Sequence, residues 1–392
     1  MTRKLIVILG LLLMLLLPAN VAAAGDIKLT SSSTKIIFPG SLTFNIKAES
    51  SAPITRIRLR YEIDKADYAP AYAEAWPEFT PAKTVSTDWT WDMRTTFTPP
   101  GAKITYWWVI EDSTGNKFTS PKETVSFDDT RYKWQKLSSG AITLYWYKGG
   151  TAFAEDLMKT AQQAVDKLGK DTGSPLKQTI SIYIYASPED LQSSMVSTEE
   201  WTGGVKYPDF NVISIGIAAN NLEWGKKAVA HELGHEVTHQ LVTSPYGASL
   251  PLWIDEGLAM HAEGPQGEYE RNALIKAIQE NGLLTLKSLS GPFPADPNET
   301  AYAYAQSQSV VEYMLDKYGN QKMHDLLTYF NDGHTFDESL LEVYGFDLAG
   351  LDKAWAQYML SQKSGKVSLE NTGVRPAPAH LYVTPSPSYG GI

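Results

Sequence analysis

The chain of 392 residues contains no cysteine, which excludes disulfide staples, a lipid-modified cysteine and thiolate metal ligands. Histidine is scarce, with seven in all, so where the histidines fall carries information. Basic residues are outnumbered, 34 against 44 acidic ones, giving a formal net charge of −10, and they form no cluster. Nucleic-acid binding, which needs a concentrated basic footprint, is therefore not expected. Long apolar runs are missing except at the amino terminus, where Arg3 and Lys4 precede residues 5–17 and then Pro18, Ala22, Ala23 and Ala24. That run is short for a membrane span and has the form of a secretory signal, residues 1–24, cleaved after Ala24 rather than kept as an anchor. An exported chain without cysteine points to a bacterial or archaeal protein that is secreted or extracytoplasmic, with no stable membrane association after cleavage.

Three of the seven histidines stand four apart, at His231, His235 and His239. In His231-Glu232-Leu233-Gly234-His235 the two imidazoles lie one helical turn apart on one face and can reach a common metal ion. Glu232 then points near that ion without binding it, where a base for an attacking water belongs. Glu256, in Trp253-Ile254-Asp255-Glu256-Gly257, can complete a His-His-Glu set with one position open. The surrounding segment is helical by pattern, with Leu222, Val229, Leu233, Val237 and Leu241 at three- and four-residue spacing. It opens at Asn220-Asn221 and stops near Ser244-Pro245-Tyr246-Gly247. A second frame, His235-Glu236 to His239, also fits the spacing, but successive histidines drift by roughly 40° per step. Three of them do not serve one tetrahedral ion from a straight helix. The first frame leaves the longer connection to Glu256, enough for a turn and a second helix, and is preferred. His239 is then a supporting residue, and His261, off the face of Glu256, a structural one.

The stretch from His231 to His235, with Leu250-Pro251-Leu252-Trp253-Ile254-Asp255-Glu256-Gly257-Leu258-Ala259, resembles the gluzincin metallopeptidases of the peptidase MA-like group. The run Tyr304-Ala305-Gln306-Ser307 with Val310-Val311-Glu312-Tyr313 resembles the helix that follows their site. The resemblance implies a zinc metallopeptidase acting on peptide or protein substrates, one Zn2+ per chain, with His231, His235 and Glu256 as ligands and Glu232 as general base. It also calls for a donor to the oxyanion of the tetrahedral intermediate. Tyr304 is the candidate, with Tyr302 as the alternative. Met260 stands where thermolysin-like members place a carboxylate, so support for the imidazoles is expected from Asp255, Glu263 or backbone carbonyls. No Gly-x-Met-Glu-Asn-like sequence precedes the motif, which favours an endopeptidase over an aminopeptidase. Two other readings stand beside this one: a catalytically inactive relative that serves as a binding protein, and a zinc hydrolase of a non-peptide or cell-wall amide.

The expected architecture is multidomain. Residues 25–130 read as an all-β immunoglobulin-like or fibronectin-like sandwich, from β-prone runs such as 42–46, 57–61 and 104–110 punctuated by Pro39-Gly40, Pro99-Pro100-Gly101 and Thr114-Gly115. Five of the eleven tryptophans fall in this module, as expected of a packed sandwich that serves as spacer or docking domain rather than as a sugar platform. Residues 131–363 read as an α+β, thermolysin-like gluzincin domain with an α-rich C-terminal lobe. Its strands are expected at 141–147, 179–185 and 211–217, a helix at 153–168, and later helices at 268–280, 301–317, 321–330, 336–344 and 348–362. In gluzincins the strand at the place of 211–217 is an edge to which the peptide substrate adds, so the resemblance implies that this strand receives substrate backbone, the alternative being a core or edge strand with no such role. Gly203-Gly204 is read as a corner above the cleft and the loop 290–297 as bordering it. Residues 364–392, rich in Pro, Ser and Gly, read as a disordered tail.

Overall fold

The computed structural model describes residues 27–65, 71–173, 175–195, 203–242, 250–280 and 282–362. The expected signal, the expected tail and the turn after the histidine helix lie outside them. The amino-terminal region comprises β1 (Lys28–Ile37), β2 (Ser41–Ile63), β3 (Ala73–Ala75), β4 (Ala82–Asp92), β5 (Ala102–Asp112), β6 (Lys117–Thr119) and β7 (Glu123–Phe127). In place of the two independent sheets of an immunoglobulin-like sandwich, these strands form one antiparallel hydrogen-bonded network joined through the long β2. The first half of β2 pairs with β1 and β4, and its second half with β3 and β5. Leu42, Phe44, Ile46, Ala48 and Ile54 are buried at even positions, Ile57 and Leu59 at odd ones. A register shift between Ile54 and Arg56 absorbs the change of parity, so one apolar face is kept along the whole strand.

A second sheet follows, built from β8 (Gln135–Ser139), β9 (Ile142–Trp146), β10 (Ile180–Tyr185), β11 (Gly204–Tyr207) and β12 (Val212–Gly216), in the order β11-β12-β10-β9-β8. Helix α1 (Gly150–Thr172) connects β9 to β10, which are parallel, as such a pair requires. The alternation in β10 sends Ile180, Ile182 and Ile184 to one core with α1, and Tyr183 and Tyr185 to an aromatic cluster on the other face. Both faces of the strand are thus covered, and the amino-terminal region supplies part of that cover. A Cβ at Gly101 would come within 2.2 Å of the Tyr183 hydroxyl, Lys65 Nζ pairs with Asp209 Oδ2 at 3.0 Å, and Phe210 packs against both cores. Asp209 and Phe210 lie in the turn between β11 and β12, so the β region is braced against that hairpin.

The rest is helical: a short α2 (Pro188–Gln192) after β10, then α3 (Leu222–Leu241), α4 (Leu252–Glu263), α5 (Glu268–Gln279), α6 (Pro297–Tyr318), α7 (Asn320–Asn331), α8 (Phe336–Tyr344) and α9 (Leu348–Gln362). Trp253, Leu258, Val310, Met314, Leu326 and Trp355 are among the residues of the lower core. Two glycines set how closely the central helices approach. A Cβ on Gly234 would lie 2.5 Å from Ala259 Cα, and one on Gly257 would lie 2.6 Å from the Ser307 carbonyl. Backbone-to-backbone approach at these points brings α3, α4 and α6 together and so delivers Glu256 to the histidines. None of the helices among the described residues is long and apolar enough to cross a membrane.

Candidate metal centre

His231 and His235 project from successive turns of α3, with their Nε2 atoms 3.2 Å apart. Glu256, on α4, brings Oε2 to 3.4 Å from each of them. Tetrahedral zinc with bonds near 2.0–2.1 Å holds its ligand atoms about 3.3 Å apart, so the triangle has the size of one face of such a site. The three residues are at most 3% exposed, and Glu256 Oε2 accepts no hydrogen bond. Three electron-rich atoms facing one another in a buried place are costly unless a cation sits among them. This donor set fits zinc. The grouping is the one of the first frame; His239, half-buried, is not part of it.

The second nitrogen of each imidazole is also held. Glu263 Oε1 lies 2.9 Å from His231 Nδ1. Asp255 Oδ2 lies 3.1 Å from His235 Nδ1, close enough for an ion pair though off the line of a straight hydrogen bond. Such partners fix the ring plane and tautomer and leave Nε2 as the donor atom. Glu263, two turns beyond Glu256, thus does what the absent carboxylate at Met260 would have done. Burial alone would lower the pKa of His231, yet the Glu256 and Glu263 carboxylates push it up to about 10. Burial likewise opposes ionisation of Glu256, but the two imidazoles hold it down to about 2. Asp255 is half-buried and is kept ionised chiefly by the Lys206 ammonium, 3.4 Å away, and by His235.

Glu232 is fully buried, and neither of its carboxylate oxygens has a hydrogen-bond partner. Strand β11 covers it: a Cβ at Gly204 would come within 2.7 Å of Glu232 Oε1. Buried polar groups are nearly always satisfied, and an orphaned carboxylate beside a ligand triangle is a candidate reactive group. Tyr304, on α6, is 7% exposed and sets its ring 6.3 Å from that of His231, with Phe293 from the 290–297 loop edge-on to it. Tyr302 is 46% exposed, away from the buried group. His261 belongs to another cluster, 2.9 Å from Asp171 on α1 and in contact with the Lys167 ammonium.

One expectation is corrected here. The strand at 211–217, now β12, lies inside the sheet between β10 and β11, and β11 is the edge. Sequence reasoning also missed Lys206. The signal available was the short Val205-Lys206-Tyr207 run before Pro208-Asp209, a hairpin partner for the strand that follows.

The sequence profile of the Peptidase MA superfamily matches residues 160–361, which is half of the chain and includes both metal-site helices. The chain belongs to the Peptidase MA superfamily. No curated relative matches it. Among solved structures, this superfamily member is similar to a catalytically inactive OgpA from Akkermansia muciniphila in complex with an O-glycopeptide, at 6% identity and TM-score 0.22. That match covers 27% of this chain and 30% of the other, so the chain spans about a third of OgpA. It is also similar to a point mutant of an M1 zinc metallopeptidase from Deinococcus radiodurans, at 11% identity and TM-score 0.36, covering 85% of this chain and 95% of that one. Aminopeptidase A from Legionella pneumophila, in complex with aspartic acid, is similar at 11% identity and TM-score 0.35, covering 85% of this chain and 49% of that one.

Proposed function

We propose that this protein is an exported zinc peptidase that cuts within peptide chains, with one zinc ion held by His231, His235 and Glu256. The observation that carries the reading is the buried ligand triangle with the unpartnered Glu232 beside it. When bound there, zinc supplies a Lewis acid that brings the pKa of a water to near 7. Glu232 takes the proton of the attacking water and passes it to the departing amine nitrogen. Tyr304, rather than the exposed Tyr302, donates to the oxygen on which negative charge develops. Residues 131–363 form the peptidase domain, and residues 25–130 the β domain braced against its substrate hairpin.

The substrate backbone adds to β11. Gly216 N–H donates to the Gly203 carbonyl at 2.9 Å, which makes that a hydrogen-bonded pair. By the alternation of an antiparallel ladder, Gly204 and Lys206 then turn their N–H and C=O groups to the edge that no strand among the described residues pairs with. An extended peptide can pair there, directly over Glu232.

The test combines metal content of the purified chain with hydrolysis of an unbiased peptide library, using Glu232→Gln as control. One zinc per chain in both forms, with cleavage by the wild type alone and a rate about 10³-fold or more above the variant, is expected. Wild-type protein that binds no zinc, or that cleaves no peptide when loaded, overturns the reading.

A further inference from the structure

Lys206 faces two ways. Its backbone N–H and C=O belong to that edge of β11, while its side chain, 19% exposed, turns inward to Asp255 Oδ2 at 3.4 Å. That same oxygen lies 3.1 Å from His235 Nδ1. One carboxylate oxygen thus receives an ammonium from the edge strand and an imidazole from the ligand set. The ammonium also stands within the electrostatic reach of Glu256 and Glu232, so it adds to the positive charge that balances these carboxylates. Without it, Asp255 would lose the larger of its two charged partners and be held by His235 alone. Gly204, two residues earlier on the same face of the strand, adds nothing but room.

We propose that Lys206 is a positioning residue that ties a peptide seated on the edge of β11 to the metal ligand His235 through Asp255. The proposal rests on the zinc-peptidase reading. A peptide that pairs with Lys206 fixes its backbone; the side chain then fixes Asp255, and Asp255 fixes the plane of the His235 ring. Substrate binding in this way completes the geometry on which turnover depends. A residue that only held substrate would show its loss in KM. One that only filled space would leave metal binding unchanged.

The test uses the full mature chain and four variants: Lys206→Met, Lys206→Arg, Asp255→Asn and the Met/Asn double variant. Zinc affinity is read by competition with a chromogenic chelator, and kcat and KM on one peptide taken from the library. Lys206→Met and Asp255→Asn are each expected to weaken zinc binding about tenfold, as loss of an outer partner of a histidine ligand does. Because both act on one oxygen, the double variant should lose about as much as the worse single. Lys206→Met should lower kcat more than it raises KM, and Lys206→Arg should recover most of the zinc affinity. If Lys206→Met does not fold, Lys206→Gln, which keeps a polar stem, is measured in its place. Zinc affinity within about twofold of wild type for the uncharged variant, or losses that multiply in the double variant, overturns the proposal. His235→Ala separates the two levels: if it binds zinc as tightly as wild type, the metal-site reading itself fails, whatever Lys206 does.

Discussion

The α4 helix carries two histidine–carboxylate clusters at its flanks, and only one of them has the makings of a metal site. In the first, Nε2 of His231, Nε2 of His235 and Oε2 of Glu256 converge to within 3.4 Å of one another, and the nearby Lys206 pairs with Asp255 rather than with these atoms. In the second, His261 has similar company, Asp171 and Glu312, but its two nitrogens face opposite acids, Nε2 to Asp171 at 2.9 Å and Nδ1 towards Glu312 at 4.0 Å. Lys167 pairs with Asp171 at 2.9 Å and also contacts His261, which fills with a side chain the place a metal would need. The two clusters contain the same residue types. What separates them is convergence of lone pairs, and where the balancing positive charge sits. In the first cluster the lysine, Lys206, stands one residue out, behind Asp255. In the second it stands inside. The second cluster joins α1 to α4 and works as a structural tie.

The contrast can be broken most forcefully by removing ligands. His235→Ala and Glu256→Gln should weaken zinc binding by a factor on the order of 10³ or more, while His261→Ala keeps one zinc per chain. Metal analysis after dialysis against a weak chelator decides it; equal loss from both clusters would erase the distinction. Next in size is the strand that covers Glu232. Gly204→Ala places a methyl within 2.7 Å of Glu232 Oε1 and should lower kcat about ten- to a hundredfold with zinc retained. An unchanged kcat would mean that Glu232 is free to swing aside.

Proton release sharpens the comparison further. With metal absent, Glu256 and Glu263 keep His231 protonated up to about 10, so zinc uptake at pH 7 must expel at least about one proton. The sign follows from a raised pKa. In the metal-free protein this pairing contributes stability fully below the ordinary histidine value of 6.5, and the contribution is lost as pH rises through about 10. Zinc affinity should accordingly rise with pH across that window. Calorimetric titration in two buffers of different ionisation enthalpy counts the protons, and a count of zero contradicts the charged triangle. The smallest effect belongs to the tie: His261→Leu should cost about 1–2 kcal/mol of stability in a urea melt without altering zinc stoichiometry.

Some of this was legible along the chain. His231 and His235 face one way because a helix returns to the same side after four residues, and Leu222, Val229, Leu233 and Val237 mark that helix by local pattern alone. The β character of the amino-terminal strands was equally plain from the alternation at Leu42, Phe44 and Ile46. Their arrangement was not, because the parity change after Ile54 turns one strand into the seam of the whole sheet. The edge of the second sheet was misplaced for a related reason. A strand's neighbours depend on which distant segment pairs with it, and β11 is too short to advertise itself. Tyr302 and Tyr304 stand two apart on a helix and so must point in different directions, but which one meets His231 depends on how α6 crosses α4.

Local sequence set the chemistry on offer: two imidazoles on one face, a carboxylate between them in the chain, and a third candidate ligand one connection away. These follow from backbone hydrogen bonds that span four residues and need no partner. Tertiary structure alone decided that Glu256 completes the triangle, through the close approach of Gly234 to Ala259, and that Glu263 and Asp255 hold the two rings. It alone brought Lys206 from the sheet edge to Asp255. Such meetings are settled by how strands pair and how closely helices pack, between segments that no local period connects.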